Sequence, residues 1–159
     1  MRCGLLLAAC FLVSFIPAAQ ASKACTEIGC VNGLMLHGDY DREWKNGNYH
    51  FEIVLDNRHV NCYGELPLKP CGEQSLSCNS DLVTITESGC ALPKSDHGFG
   101  DIHISDDPRK VMVRITHNNR PILTRTIVRV EYLESRPNGP GCGPVCHSAS
   151  YNLFDASSE

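Results

Sequence analysis

The chain reads as an all-β protein, a disulfide-stapled, antiparallel two-sheet sandwich of seven or eight strands. Three observations lead there. Long stretches alternate apolar and polar residues with period two. No segment carries a helical period with capping residues at its ends. Eight cysteines follow an export signal, the composition of a small domain that supplements its core with cross-links.

The first element is the leader. Arg2 supplies a positive n-region, Gly4 to Ile16 is an almost unbroken apolar run, and Ala19-Gln20-Ala21 is an A-x-A site. This predicts a cleaved signal peptide over residues 1–21 and one secreted or periplasmic domain over 22–159. Leu7-Ala8-Ala9-Cys10 spells a bacterial lipobox, but Phe11 to Ile16 is still apolar, so Cys10 lies inside the h-region. No second apolar run reaches spanning length, so no membrane span is expected. The chain has 14 basic and 18 acidic residues, and losing Arg2 with the leader takes the net charge from −4 to −5. Nucleic acid and anionic membranes need a basic footprint and are disfavoured as partners.

Strands follow in order. Val31–His37 is a short candidate. Tyr49, Phe51, Ile53 and Leu55 alternate with His50, Glu52 and Asp56. Asp56-Asn57 suits a tight turn, and Val60, Cys62, Gly64 and Leu66 continue the inward face of a hairpin over 49–66. Pro67–Gly100 is rich in Cys, Ser, Pro and Gly and reads as mostly a stapled loop, with short strands at Leu82–Thr86 and Ile102–Ile104. A second hairpin pairs Val111, Val113 and Ile115 with a strand whose inward face is Ile122, Thr124, Thr126, Val128, Val130 and Tyr132, across the turn His117–Arg120. Ala149–Phe154 is the last strand, with Ala149, Tyr151 and Leu153 inward.

Cys3 and Cys10 leave with the leader, so Cys25, Cys30, Cys62, Cys71, Cys78, Cys90, Cys142 and Cys146 remain. An even count in an exported chain predicts four disulfides, but eight cysteines allow 105 pairings and spacing does not choose among them. Metal binding is the rival reading. The close pairs are C-x4-C and C-x3-C, and His147 has no spaced histidine partner, so the pattern does not match a zinc site. Nor is it the C-x-x-C of a redox site. In Pro137–Asp155 the prolines restrict the unfolded chain, Asn138-Gly139 and Gly141 supply turns, and Cys142 and Cys146 clamp the connection that docks the last strand. Whether they bridge each other or the body of the domain stays open.

Three segments resemble small exported bacterial proteins of unknown function. These are CTEIGCVNGL, the Gly47–Cys62 hairpin with its C-x-G-E-L-P exit, and PNGPGCGPVCHSA. In that group a Y-x4-PNGP-x-C-x-P-x-C pattern precedes the last strand, and Tyr132 is followed here by four residues and PNGPGCGPVC. The resemblance implies an immunoglobulin-like or transthyretin-like sandwich; the Cys71/Cys78 region falls outside it and reads as an insertion carrying an extra bridge. It implies no activity, substrate or catalytic residue.

Sites of chemistry are sparse. No nucleophile elbow, zinc-protease helix, phosphate loop or dinucleotide fingerprint occurs. Asp39-Tyr40-Asp41-Arg42-Glu43 begins like a calcium loop, but Trp44 stands at the sixth position and His50 at the twelfth, so an EF-hand is rejected. A looser carboxylate site or a solvated acidic loop remains. Asp96-His97-Gly98-Phe99-Gly100-Asp101-Ile102-His103 is the most suggestive polar cluster. His97 and His103 with nearby carboxylates are candidates for a transition metal or for acid–base work, and the glycines would let a ligand approach the backbone. The simpler reading is a loop with exposed histidines entering a strand. Tyr40 and Trp44 form either an exposed aromatic patch or a cover for the end of the sandwich. The expectation is therefore a non-catalytic, monomeric binding or structural module for a protein or glycan, with no cofactor. The alternative is a metal-binding periplasmic protein using His97 and His103.

Overall fold

The computed structural model describes residues 24–154, so the expected leader and its cleavage site lie outside the described residues. Among the described residues ten strands form two five-stranded sheets. In chain order they are β1 Gly33–His37, β2 Gly47–Leu55, β3 Arg58–Leu66, β4 Leu76–Cys78, β5 Val83–Ser88, β6 Gly98–Ile104, β7 Val111–His117, β8 Arg120–Ile127, β9 Leu133–Ser135 and β10 Cys146–Asn152. One sheet runs β5-β6-β1-β10-β9 and the other β4-β3-β2-β7-β8. The all-β sandwich stands, with ten strands instead of seven or eight. The added strands β4 and β9 are three residues long, too short for alternation to show. Pro67–Gly100 also carries more strand than a stapled loop would.

Both hairpins form. β2 and β3 pair from Gly47↔Leu66 to Leu55↔Arg58, and Asp56 takes the positive φ that the turn needs. Tyr49, Phe51, Ile53, Leu55, Val60, Cys62 and Leu66 face the core from this hairpin. β7 and β8 are joined by Asn118 and Asn119, both at positive φ. Here the expected inward face of the second strand is wrong by one residue. Ile115 pairs Leu123 while Thr116 pairs Pro121, so Ile122 is an extra residue in the ladder. That bulge inverts the phase: Arg125 and Ile127 are buried and Ile122 is exposed. Val130 is buried, as expected, but Val128 is exposed.

The last strand does not join the sheet only by antiparallel pairing. β10 runs parallel to β1, from Gly33↔Ser148 to His37↔Asn152, and antiparallel to β9. Ala149 and Leu153 are buried, as alternation required. Four disulfides join all eight cysteines among the described residues: Cys25–Cys142, Cys30–Cys146, Cys62–Cys78 and Cys71–Cys90. Cys142 and Cys146 therefore tie not to each other but to the segment leading into β1. The clamp joins the segment before β1 to the segment that enters β10, beside the parallel pair.

Asn138, read from sequence as a turn residue, is the centre of that clamp. Its Oδ1 accepts from Thr26 Oγ1 at 2.6 Å and Ile28 N at 2.8 Å, and its Nδ2 donates to Ile28 O at 3.0 Å and Gly143 O at 2.6 Å. Asn138→Ala removes all four bonds from a buried side chain. It is expected to lower stability by roughly 2–3 kcal/mol, read from urea denaturation of the oxidised protein. A shift below about 0.5 kcal/mol would show that the terminal bridges alone hold this region.

Candidate functional site

The site lies at one end of the sandwich, where the β1–β2 loop folds over the start of β6. Residues 38–46 are pinned along their length. Gly38 N donates to Asp101 Oδ1 at 2.9 Å, Arg42 N donates to Asp39 O at 3.2 Å, and Tyr49 Oη donates to Lys45 O at 2.7 Å. His117 Nε2 lies 3.0 Å from Asn46 O.

Two glycines of β6 make room for this loop. A Cβ at Gly98 would stand 2.5 Å from the Trp44 ring, and one at Gly100 would stand 2.7 Å from the Tyr40 ring. The glycines thus admit the protein's own aromatic side chains to the strand. Gly98 and Gly100 alternate with Phe99 and Asp101, so the Gly-x-Gly step gives the loop a bare surface on β6.

Trp44 sits among four rings. Its centroid is 5.3 Å from Phe99 and from Tyr49, both edge-to-face, 6.4 Å from Phe51 and 6.3 Å from Phe154. Phe99 is buried because a register shift opposite Ile85 and Glu87 re-phases β6, letting Phe99 and Ile102 both reach the core. The Arg42 guanidinium lies 4.5 Å from the Phe154 ring centroid and 5.7 Å from that of Trp44, within cation–π range. Tyr40 is 62% exposed, so the aromatic pair divides its work: Trp44 covers the sandwich end and Tyr40 is presented to solvent. The Tyr40 phenol is held above its ordinary pKa by desolvation, then by the Asp101 charge and a hydrogen bond to that carboxylate. Burial does the same for Tyr49.

Between the loop, the 3-10 turn Lys94–Asp96 and the ends of β5 and β6 is a cleft of about 350 Å³. Tyr40, Trp44 and Phe99 give it aromatic surface, Leu92 an aliphatic wall, and Asp41, Glu43 and Asp96 carboxylates, with Arg42, His97 and two serines also in the polar lining. Two segments picked out separately in sequence, Asp39–Trp44 and Asp96–His103, thus meet in one place, the second through Asp96 to Phe99. Ser88, Leu92 and Ser95 were missed; they are brought in by chain reversal and carried no local signal.

The histidines are not what the sequence suggested. His97 is 6% exposed, and both ring nitrogens are engaged: Nδ1 accepts from Leu68 N at 2.9 Å, so Nε2–H faces Leu92 O at 3.1 Å. It is a buried tie between three segments, not an exposed loop residue. His103 lies in β6, with Nε2 3.1 Å from Asn32 O. Six residues of nearly extended strand separate the two by about 20 Å, so they do not share an ion. Among the described residues no group of three His, Cys, Asp or Glu side chains is arranged to hold a metal. The exposed-loop reading implies that removing both imidazoles leaves stability unchanged; the burial and ring contacts of His97 argue otherwise. His97→Ala leaves the buried Leu68 N–H without its acceptor and is expected to cost roughly 1–3 kcal/mol, whereas His103→Ala should stay within about 0.5 kcal/mol. Thermal melts of the two single variants separate these outcomes.

No family model, curated protein or solved structure matches the chain.

Proposed function

We propose that this is a non-catalytic, exported, monomeric β-sandwich module that binds a protein or glycan through the cleft beneath the β1–β2 loop. The observation that carries it is the presentation of Tyr40. A largely exposed aromatic ring sits on a loop pinned to β6, above a cleft whose aromatic wall is buried in the core. Aromatic residues held rigidly at low entropic cost are favoured anchors of recognition. His97 supports the non-catalytic reading, since the one histidine lining the cleft spends both nitrogens on backbone groups. Four disulfides are the usage of an oxidising compartment, and no helix among the described residues is long and apolar enough to cross a membrane. The two-sheet architecture is in keeping with an immunoglobulin-like or transthyretin-like assignment, which belongs to this proposal.

The test compares immobilised wild type with Tyr40→Ala on a glycan array and in capture from envelope and secreted fractions. The reading expects the captured species to be lost on Tyr40→Ala while the melting temperature stays within about 2 °C. Capture that survives Tyr40→Ala unchanged would move the binding surface elsewhere.

A further inference from the structure

Resting on the reading of this cleft as the binding surface, we propose that it receives a basic side chain, lysine or arginine, from a protein partner. Three carboxylates, Asp41, Glu43 and Asp96, line the cleft against one guanidinium. That guanidinium, Arg42, is already drawn over the Phe154 ring, at 4.5 Å, and toward Trp44. Tyr40 and Trp44 line the cleft beside the carboxylates, so a cation held there lies near aromatic rings as well as negative charge. An ammonium or guanidinium entering here gains both interactions, while its aliphatic stem covers Leu92. An anionic ligand would meet the three carboxylates. The volume, about 350 Å³, is near the lower end of the range for ligand pockets and suits one extended side chain better than several sugar rings. The charge of the chain without its leader, −5, steers a basic partner to the surface.

Trp44 is the only tryptophan of the chain, so its emission reports on the cleft directly. The probes are a blocked Gly-Lys-Gly-Arg-Gly peptide and neutral cellohexaose, each titrated against the oxidised protein with fluorescence and calorimetry as readouts. The peptide is expected to shift Trp44 emission saturably, and cellohexaose to leave it unchanged. Asp41→Asn with Glu43→Gln should weaken peptide binding roughly tenfold. Glu131→Gln with Glu134→Gln removes the same charge beside and within β9, at the opposite edge of the sheet from β5, and should change affinity by no more than about twofold. Equal losses in the two double variants would reduce the effect to bulk charge and overturn the proposal, as would a peptide that does not bind. Saturable binding of cellohexaose alone overturns the basic side chain but leaves the cleft standing as a binding surface. The Tyr40→Ala comparison tests that broader reading independently.

Discussion

Replacing Cys142 and Cys146 together by Ser is expected to destabilise the domain by roughly 7–8 kcal/mol, the largest effect of any substitution considered. The two bridges span 117 and 116 residues, so nearly the whole domain lies inside the closed loop. In the chain-entropy account a loop of that length contributes about 4.7 kcal/mol. The second bridge contributes less, about 2–3 kcal/mol, because with one closed the other shuts only a small ring between Cys25–Cys30 and Cys142–Cys146. The loss should fall first on the parallel β1–β10 pair. Cys146 begins β10, Cys30 lies three residues before β1, and these two strands hold the middle of their sheet. Amide exchange should show β1 and β10 losing protection before the β2–β3 hairpin, whose own bridge to β4 is untouched. A urea midpoint that barely moves, with β10 still protected, would show that packing and the Asn138 bonds hold the ends without the cross-links.

Phe99→Ala should cost roughly 3–5 kcal/mol, as truncation of a fully enclosed aromatic residue does. Phe99 is 2% exposed, with its ring 5.2 Å from Phe51 and 5.3 Å from Tyr49 and Trp44. It is the one ring of β6 that links the loop aromatics to the opposite sheet. Its removal should also free Trp44, so the native-state emission should move to longer wavelength before any unfolding. A loss of stability with unchanged Trp44 emission would mean that Tyr49, Phe51, Phe154 and Gly98 fix the indole without Phe99.

The local part of this architecture was legible because it is written in adjacent residues. Period-two runs marked both hairpins, and Asp56-Asn57 and Asn118-Asn119 marked their turns. The phase of β8 was not legible. Ile122, Thr124 and Thr126 alternate as well as Leu123, Arg125 and Ile127 do, and only the bulge beside Pro121 decides which set turns inward. The Cys25–Cys142 and Cys30–Cys146 bridges and the parallel β1–β10 contact join residues more than 100 apart, and no local pattern encodes them. The site follows the same division. Its parts were visible in Tyr40, Trp44, Asp96 and His97 as unusual residues, but their adjacency depends on Gly98 and Gly100 lying bare beneath the loop. The glycines were noticed as permissive, and what they admit is the chain itself. His97 was misread because a histidine between Asp and Gly has the composition of a loop, whereas the Leu68 N–H that it satisfies comes from a segment 29 residues away.

The central claim is that recognition occurs at the cleft under residues 38–46. Hydrogen-exchange mass spectrometry on the oxidised wild type, with and without the species captured through Tyr40, tests it most directly. The account predicts new protection confined to residues 38–47 and 94–100, the two walls of the cleft. Protection over the outer face of the β2–β3–β7 sheet or along β9, with those two segments unchanged, would contradict it.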